Sequence, residues 1–343
     1  MKTKTMNINN PTIVILGASG LVGGTLISIL KQREFPCGEL RLCSSPGGTS
    51  KELTINGENY TATPFDESVF DGADIVFFSG PDDMSPQYAP KAISAGAVVI
   101  DNSAHFRLKP GVPLIIPEVN GHCIGKHSGL IANPNCSTSG LVVALAPVNR
   151  ALGLEWVAAS TYQAISGAGA KPKNDFIEST KAAVDSDFMK LDPGNLAFNL
   201  IPAVGSFSGV QNFSEEERLI NETRKILEHP VLKVYPTCVR VPVLNVHSIS
   251  VTFQTEKPFS DGEIESLLAD ADGVEIIDDL VNRKFPTPVG ADGKDEVQVG
   301  RIRRFEENRG GMWVVADNLR KGAALNSVQI AELLLKYERT KNG

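Results

Sequence analysis

The chain has 343 residues, a formal net charge of −7 and 42% hydrophobic residues. That length fits two domains with sizeable cores, and an acidic balance with no block of Lys or Arg argues against a nucleic-acid surface. The five cysteines (37, 43, 123, 136 and 238) are odd in number and show no C-x-x-C spacing, so neither a disulfide framework nor a metal cluster is expected, and a reducing cytoplasm is the natural compartment.

The first ten residues are polar and the apolar run after them is only strand length, so no signal peptide or membrane span is expected. Residues 12–16, T-I-V-I-L, are apolar and β-branched and run into G-A-S-G-L-V-G, followed by a helical pattern over 21–31. Strand, glycine turn and helix together open a dinucleotide-binding βαβ unit. Gly17, Gly20 and Gly23 are spaced G-x-x-G-x-x-G, which any tight strand-to-helix turn also favours. Their place directly after a buried strand is what points to phosphate binding.

A second strand at 39–43 ends in Ser44 and Ser45. An NAD site usually puts an acid there for the ribose 2′-hydroxyl. Its absence leaves room for a 2′-phosphate and indicates NADP(H), although no arginine follows to bind that group. A strand at 73–78 closes on Ser79 and Gly80, a helix follows at 87–95, and a strand at 97–100 leads to D-N-S-A-H-F and Arg107. Short strands at 114–116 and 130–132 lead to Cys136. This alternation predicts a doubly wound parallel sheet, whose ligands lie at the carboxyl ends of the strands. Gly17, Ser79, Arg107 and the N-P-N-C turn all follow such ends.

Cys136 stands between N-P-N and a run of small hydroxyl residues, just before an apolar helical segment at 141–152. The spacing predicts a thiol in the first turn of a helix, with Ser137 or Thr138 as its cap. Backbone N–H groups and the helix dipole favour thiolate there, which makes a nucleophile. A cysteine can also be a small buried hydrophobe. The polar surround and the upstream nucleotide pattern favour the nucleophile.

Beyond residue 153 the pattern changes. Strands are predicted at 156–163, 231–242, 248–255, 297–304 and 312–316, helices at 174–190, 212–229 and 322–336, a glycine turn at 166–170 and a loop at 285–294. The expected fold is α/β: an N-terminal Rossmann-like dinucleotide-binding domain at 1–135, joined by the C-terminal helix 318–343, plus an α+β catalytic and dimerisation domain with a mixed sheet at 136–317. A nicotinamide cofactor beside an activated cysteine suggests hydride transfer at an acyl thioester. Arg240 and His247 fall among apolar strand residues, where either needs a partner. On that pattern alone His247 is as readily structural as catalytic.

In order along residues 12–333 stand G-A-S-G-L-V-G, D-N-S-A-H-F-R, N-P-N-C-S-T, Y-Q-A-I-S-G-A-G, E-E-E-R with N-E-T-R-K-I, C-V-R-V-P-V with His247, and D-N-L-R-K-G-A-A. In these motifs the chain resembles the bacterial aspartate-β-semialdehyde dehydrogenases. The resemblance implies NADPH-dependent reductive dephosphorylation of L-4-aspartyl phosphate to L-aspartate 4-semialdehyde, on the route to lysine (through diaminopimelate), threonine, methionine and isoleucine. It implies that Cys136 is the nucleophile, His247 the acid/base, and Gln163 the group that orients the acyl carbon. It gives Arg240 to the substrate α-carboxylate, Glu215 to the α-ammonium with Arg218 near it, and Arg107 and Asn135 to phosphate. Cofactor contacts are implied at Gly17, Ser19, Gly20, Leu21, Val22, Gly23, Ser44, Ser45, Ser79, Gly80, Ser166, Gly167 and Asn318. A cytoplasmic homodimer acting on a small molecule and phosphate, without a metal, nucleic acid or membrane, completes the expectation.

This chain departs from the pattern in two places: Arg218 stands where the family commonly has lysine, and the loop after strand two lacks an arginine. N-acetyl-γ-glutamyl-phosphate reductase would share the fold, the thioester logic and the cofactor, but N-P-N-C-S-T fits the aspartyl family better. A non-catalytic protein of the same fold is the other alternative, and retention of Cys136, Gln163, Arg240 and His247 speaks against it.

Overall fold

In the computed structural model, residues 6–184 and 192–342 are described. The chain divides into two compact units, Met1–Asn135 with Ala323–Gly343, and Cys136–Gly322.

The first unit is built on five parallel strands in the order β2-β1-β5-β6-β7. These are β1 (Thr12–Leu16), β2 (Glu39–Cys43), β5 (Ile75–Phe78), β6 (Val98–Asp101) and β7 (Leu130–Ala132). Val14, Leu16, Val76 and Phe78 pack into one core cluster, Ile13, Ile15, Ile75 and Phe77 into another. A strand covered on both faces reads as a continuous apolar run. Between β2 and β5 lies an antiparallel hairpin, β3 (Lys51–Ile55) and β4 (Glu58–Ala62). Helices α1 (Leu21–Gln32), α2 (Met84–Ser94) and the short α3 (Pro117–Asn120) belong to this unit. The predicted boundaries shift by a few residues at α2, β5 and β6, and Leu114 makes only an isolated bridge to Ala132. The C-terminal helix (Leu325–Asn342) returns to this unit and buries Leu325, Val328, Ile330, Ala331 and Leu334 beside Ile13, Ile15 and Leu26. Burying each large apolar side chain contributes roughly 1.5–3 kcal/mol, which holds that helix on the unit.

The second unit opens with α4 (Cys136–Leu152) and β8 (Leu154–Gln163), then α5 (Ala170–Val184), α6 (Ser214–Ile226), β9 (Lys233–Arg240) and β10 (His247–Thr255). It continues with α7 (Glu263–Ala269), β11 (Val274–Ile276), the one-turn α8 (Pro288–Ala291), β12 (Val297–Glu306) and β13 (Arg309–Ala316); the C-terminal helix is therefore α9. Of the predicted helix at 174–190, residues 185–190 lie outside the described residues. Six strands form a mixed sheet in the order β11-β12-β13-β10-β8-β9, with β8 and β9 parallel and β10 antiparallel to β8 and β13. Helix α4 lies on one face, flanked by α6 and α7. The alternation along β10 puts His247, Ile249, Val251, Phe253 and Thr255 on that covered, buried face.

Among the described residues no helix is long and apolar enough to cross a membrane.

Candidate active site

In the first unit the turn after β1 is bolted down by its backbone. Gly17 has φ +80°, and its N–H and that of Ala18 both donate to the Cys43 carbonyl at 2.9 and 3.0 Å. A Cβ on Gly17 would fall 2.8 Å from the Gly80 nitrogen, and one on Gly23 would fall 2.3 Å from the Gly17 carbonyl oxygen. Both glycines are required by close approach. A Cβ on Gly80 would come within 3.2 Å of Ser45 Oγ, so Gly17, Ser45 and Gly80 meet at the carboxyl ends of β1, β2 and β5. Beside them α1 has Gly20 at its N-cap and no side-chain cap, leaving its first N–H groups for an anion. Ser19, Leu21 and Val22 are half-buried around this turn, and the Ser79 hydroxyl donates to the Leu16 carbonyl at 2.7 Å. The glycine cradle and the uncapped helix fit a dinucleotide diphosphate. Ser44 is engaged within its own loop: its hydroxyl donates to the Thr49 carbonyl at 2.7 Å and its amide to Thr63 at 2.9 Å.

The D-N-S and N-P-N motifs fold into one buried network. The Asp101 carboxylate accepts from the hydroxyls of Ser85 at 2.6 Å and Ser103 at 2.7 Å. Asn133 donates to Asn102 Oδ1 at 3.0 Å and accepts from Asn326 at 2.7 Å. Arg107 is buried and donates Nε to the Asn133 carbonyl at 2.9 Å and an Nη to the Asn102 carbonyl at 2.8 Å. These bonds hold the turn that carries the buried Asn135 and, next in the chain, Cys136.

Helix α4 begins at Cys136 itself. The prediction that Ser137 or Thr138 caps it is therefore corrected: both are buried inside its first turn. The thiol is half-exposed, and a Cβ on Gly322 would lie 2.8 Å from Cys136 Cβ, so a bare backbone packs against it.

The register of the mixed sheet assembles the rest. Gln163 ends β8 and Arg240 ends β9, and the two are paired; His247 begins β10 and is paired with Ala316, which ends β13. Gln163, Arg240 and His247 are thus collected at one end of the sheet. Gln163 donates to Glu215 Oε1 at 2.9 Å and accepts from the Thr161 hydroxyl at 3.2 Å. Glu215, in the first turn of α6, is only 5% exposed and pairs with Arg218 at 3.3 Å. Its neighbour Glu216 closes the start of α6 on the Phe213 amide and ties it to β9 through the Cys238 amide.

Ala164, which no sequence signal singled out, is the hub. Its carbonyl accepts from Arg240 Nη1 at 2.6 Å, and its N–H donates to His247 Nδ1 at 3.0 Å. A backbone N–H can only donate, so Nδ1 presents its lone pair and the neutral ring carries its proton on Nε2. Nε2 is buried and has no hydrogen-bond partner among the described residues. Burial first, and the Arg240 charge second, push the His247 pKa down to about 3, with the nearby Val246 carbonyl opposing weakly. Burial also lowers Arg240, while the charges of Cys136 and Glu215 support its cation. That attraction is reciprocal, so the guanidinium favours a thiolate at Cys136. Cys238, on the same face, is pushed up to about 12 chiefly by burial and stays a protonated bystander. A Cβ on Gly167 would come within 3.1 Å of His247 Nε2 and 3.2 Å of Arg240 Nη1, so this glycine borders both side-chain tips. The buried pair Ser166 and Asn318 are hydrogen-bonded to each other at 3.0 Å.

A dinucleotide-binding sheet followed by a mixed-sheet domain that gathers a glutamine, an arginine and a histidine at one end of its sheet defines a nicotinamide-dependent oxidoreductase. Residues 12–127 match the description "Semialdehyde dehydrogenase, NAD binding domain" and residues 145–321 match "Semialdehyde dehydrogenase, dimerisation domain". The chain is 46% identical to the aspartate-semialdehyde dehydrogenase of Aquifex aeolicus, covering 94% of this chain and 98% of that protein. It is 40% identical to that of Bacillus subtilis, covering 94% and 97%. The crystal structure of aspartate semialdehyde dehydrogenase II from Vibrio cholerae superimposes with a TM-score of 0.88 at 38% identity, covering 95% of this chain and 98% of that one. The chain belongs to the aspartate-semialdehyde dehydrogenase family.

Proposed function

We propose that this protein reduces L-4-aspartyl phosphate to L-aspartate 4-semialdehyde and phosphate with NADPH, through a thioester on Cys136. The observation that supports this most is the pairing that collects Gln163, Arg240 and His247 at one sheet end, on the face carrying the helix that Cys136 begins. The Cys136 thiolate attacks the acyl carbon, a C–S bond forms and the carbonyl electron pair moves to oxygen. His247 Nε2–H donates toward the charge that develops, Arg240 holds the α-carboxylate, and Arg107 and Asn135 hold the phosphoryl group. Collapse of the adduct breaks the C–O bond to phosphate, which leaves with the electron pair. A bound reduced nicotinamide supplies the hydride that brings the thioester to the aldehyde level. Expulsion of the thiolate then frees the product, while Gln163 keeps the acyl group aligned. Glu215 takes the α-ammonium and is itself oriented by Gln163 and Arg218.

NADP rather than NAD is the reading because no carboxylate follows β2; of the two serines there, Ser45 is the one not tied into its own loop by its side chain. A homodimer is the reading because residues 145–321 match a dimerisation domain and the sheet face opposite α4 carries the exposed Tyr235 beside the partly exposed Tyr162 and Trp313. Ser250→Arg on that face is expected to shift the sedimentation coefficient to that of a monomer.

The activity test is to supply purified protein with NADP, phosphate and either aspartate semialdehyde or N-acetylglutamate semialdehyde, and follow absorbance of the reduced cofactor. Turnover of the first and not the second is expected. Equal use of both, or of neither, would overturn the proposal.

A further inference from the structure

Val246 stands immediately before His247 with φ +73°. Among the described residues with positive φ other than glycine, it alone is β-branched. That is the side chain least tolerated in the left-handed region, and such strain persists only where the surroundings over-determine it. Here they do so twice. The Val246 side chain is fully buried with Ala291, Val315 and Trp313. Its N–H donates to Asn318 Oδ1 at 2.9 Å, and the Asn318 Nδ2 in turn donates to Ser166 Oγ at 3.0 Å. Because the Val246 amide can only donate, the orientation of the carboxamide is fixed.

We propose that Val246 is a positioning residue: its left-handed backbone, clamped by the Asn318 carboxamide, sets the point and face at which β10 begins and so aims His247 at the Cys136 end of the sheet. A strand whose entry slips by one residue turns its whole side-chain set to the other face. The clamp prevents that slip at the one residue where it would remove the imidazole from the site. It also holds the His247 ring where Ala164 N–H reaches Nδ1 and where Gly167 and Arg240 border Nε2. Asn318 thereby joins the segment after β8, through Ser166, to the start of β10. The functional half of this inference rests on the proposed role of His247.

The test compares Val246→Gly with Val246→Ala, and each with Asn318→Ala added. Both single variants lose the valine methyl groups, but only glycine adopts φ +73° without cost. The glycine variant is expected to melt at least about 2 °C above the alanine variant, the reverse of the usual order for a strand-flanking site. It is also expected to be the less active of the two. With glycine the Asn318 bond alone restrains a backbone open to a wider range of φ, so His247 is aimed less narrowly and kcat falls about tenfold, with KM for aspartate semialdehyde within about twofold. Alanine, whose Cβ closes off most of that range, keeps most of kcat. Asn318→Ala is expected to lower the melting temperature less in the glycine background than in wild type. A merely structural Val246 would make activity follow stability, and that result overturns the aiming role. An alanine variant as stable as the glycine variant overturns the strain itself. Should wild type fail to turn over the semialdehyde, the proposed function falls, while the two stability comparisons still decide the clamp.

Discussion

Gly167→Ala tests the geometry of the site with a single methyl group. The new Cβ would sit 3.1 Å from His247 Cε1 and Nε2 and 3.2 Å from Arg240 Nη1. Comfortable contacts between such atoms need roughly 3.5–4.0 Å, so the imidazole and guanidinium must each yield by about 0.5 Å. A misplacement of about 1 Å costs on the order of 10²-fold in rate, so half of that is expected to cost about tenfold in kcat/KM, or about 1.4 kcal/mol. Stability should not fall with it. Gly167 is exposed and its φ is not positive. Replacing such a glycine with alanine stabilises a chain by about 0.4–1 kcal/mol, through the unfolded state. Phosphate-dependent oxidation of aspartate semialdehyde, followed by absorbance, gives the first quantity and thermal melting the second. Unchanged kinetics would mean that the His247 and Arg240 tips are not at the reacting centre. A large drop in melting temperature would mean that the residue is structural.

Acidification is expected to distinguish His247→Gln from wild type. With the native pKa near 3 and an unfolded value near 6.5, the unfolded chain binds the extra proton between these limits. Wild-type stability is therefore full above pH 6.5 and falls by about 1.4 kcal/mol per pH unit below it, as far as about pH 3, whereas the variant lacks this dependence. Urea denaturation at pH 7 and pH 5 should show the wild type losing about 2 kcal/mol relative to the variant, and equal losses would mean that the imidazole is not held neutral. At pH 7 the same variant should lose roughly 10²–10⁴ in kcat. Glu215→Gln removes the charged partner of both Gln163 and Arg218, so KM for aspartate semialdehyde should rise more than kcat falls, with folding intact; unchanged kinetics would return Glu215 to a structural part. Ser45→Asp should shift the kcat/KM ratio toward NADH by at least about tenfold, and Ser44→Ala should shift it less, because the Ser44 hydroxyl is spent on Thr49. Equal effects would remove Ser45 from the 2′-phosphate site.

Local signals carried most of the fold. The buried runs of β1 and β5, the glycine turn and the switch to alternating patterns beyond residue 153 follow from residue type and spacing alone. The β3–β4 hairpin is equally legible, since Asn56-Gly57, at φ +51° and +80°, is the dipeptide that a two-residue hairpin loop demands. Cys136 could be read because its helix start and its polar turn are contiguous in sequence. The role of Glu215 comes through the resemblance, since a run E-E-E-R by composition alone fits a solvated face; Glu215 and Glu216 are both buried because the first turn of α6 lies against β9. Ala164 acts only through its peptide group, so its side chain carries no hint of its role. Val246 misleads for a physical reason. Valine in an apolar run signals a strand, whereas packing and the Asn318 carboxamide force it into a conformation its type disfavours.

The central claim is that the substrate passes through a covalent thioester on Cys136, and trapping that adduct tests it most directly. Protein mixed with aspartyl phosphate without reduced cofactor, quenched in acid and digested, should carry one aspartyl group on the peptide containing Cys136. The adduct should disappear when phosphate is added back before the quench and should be absent from Cys136→Ser. No adduct, or one carried by Cys37, Cys43, Cys123 or Cys238 instead, would contradict the account.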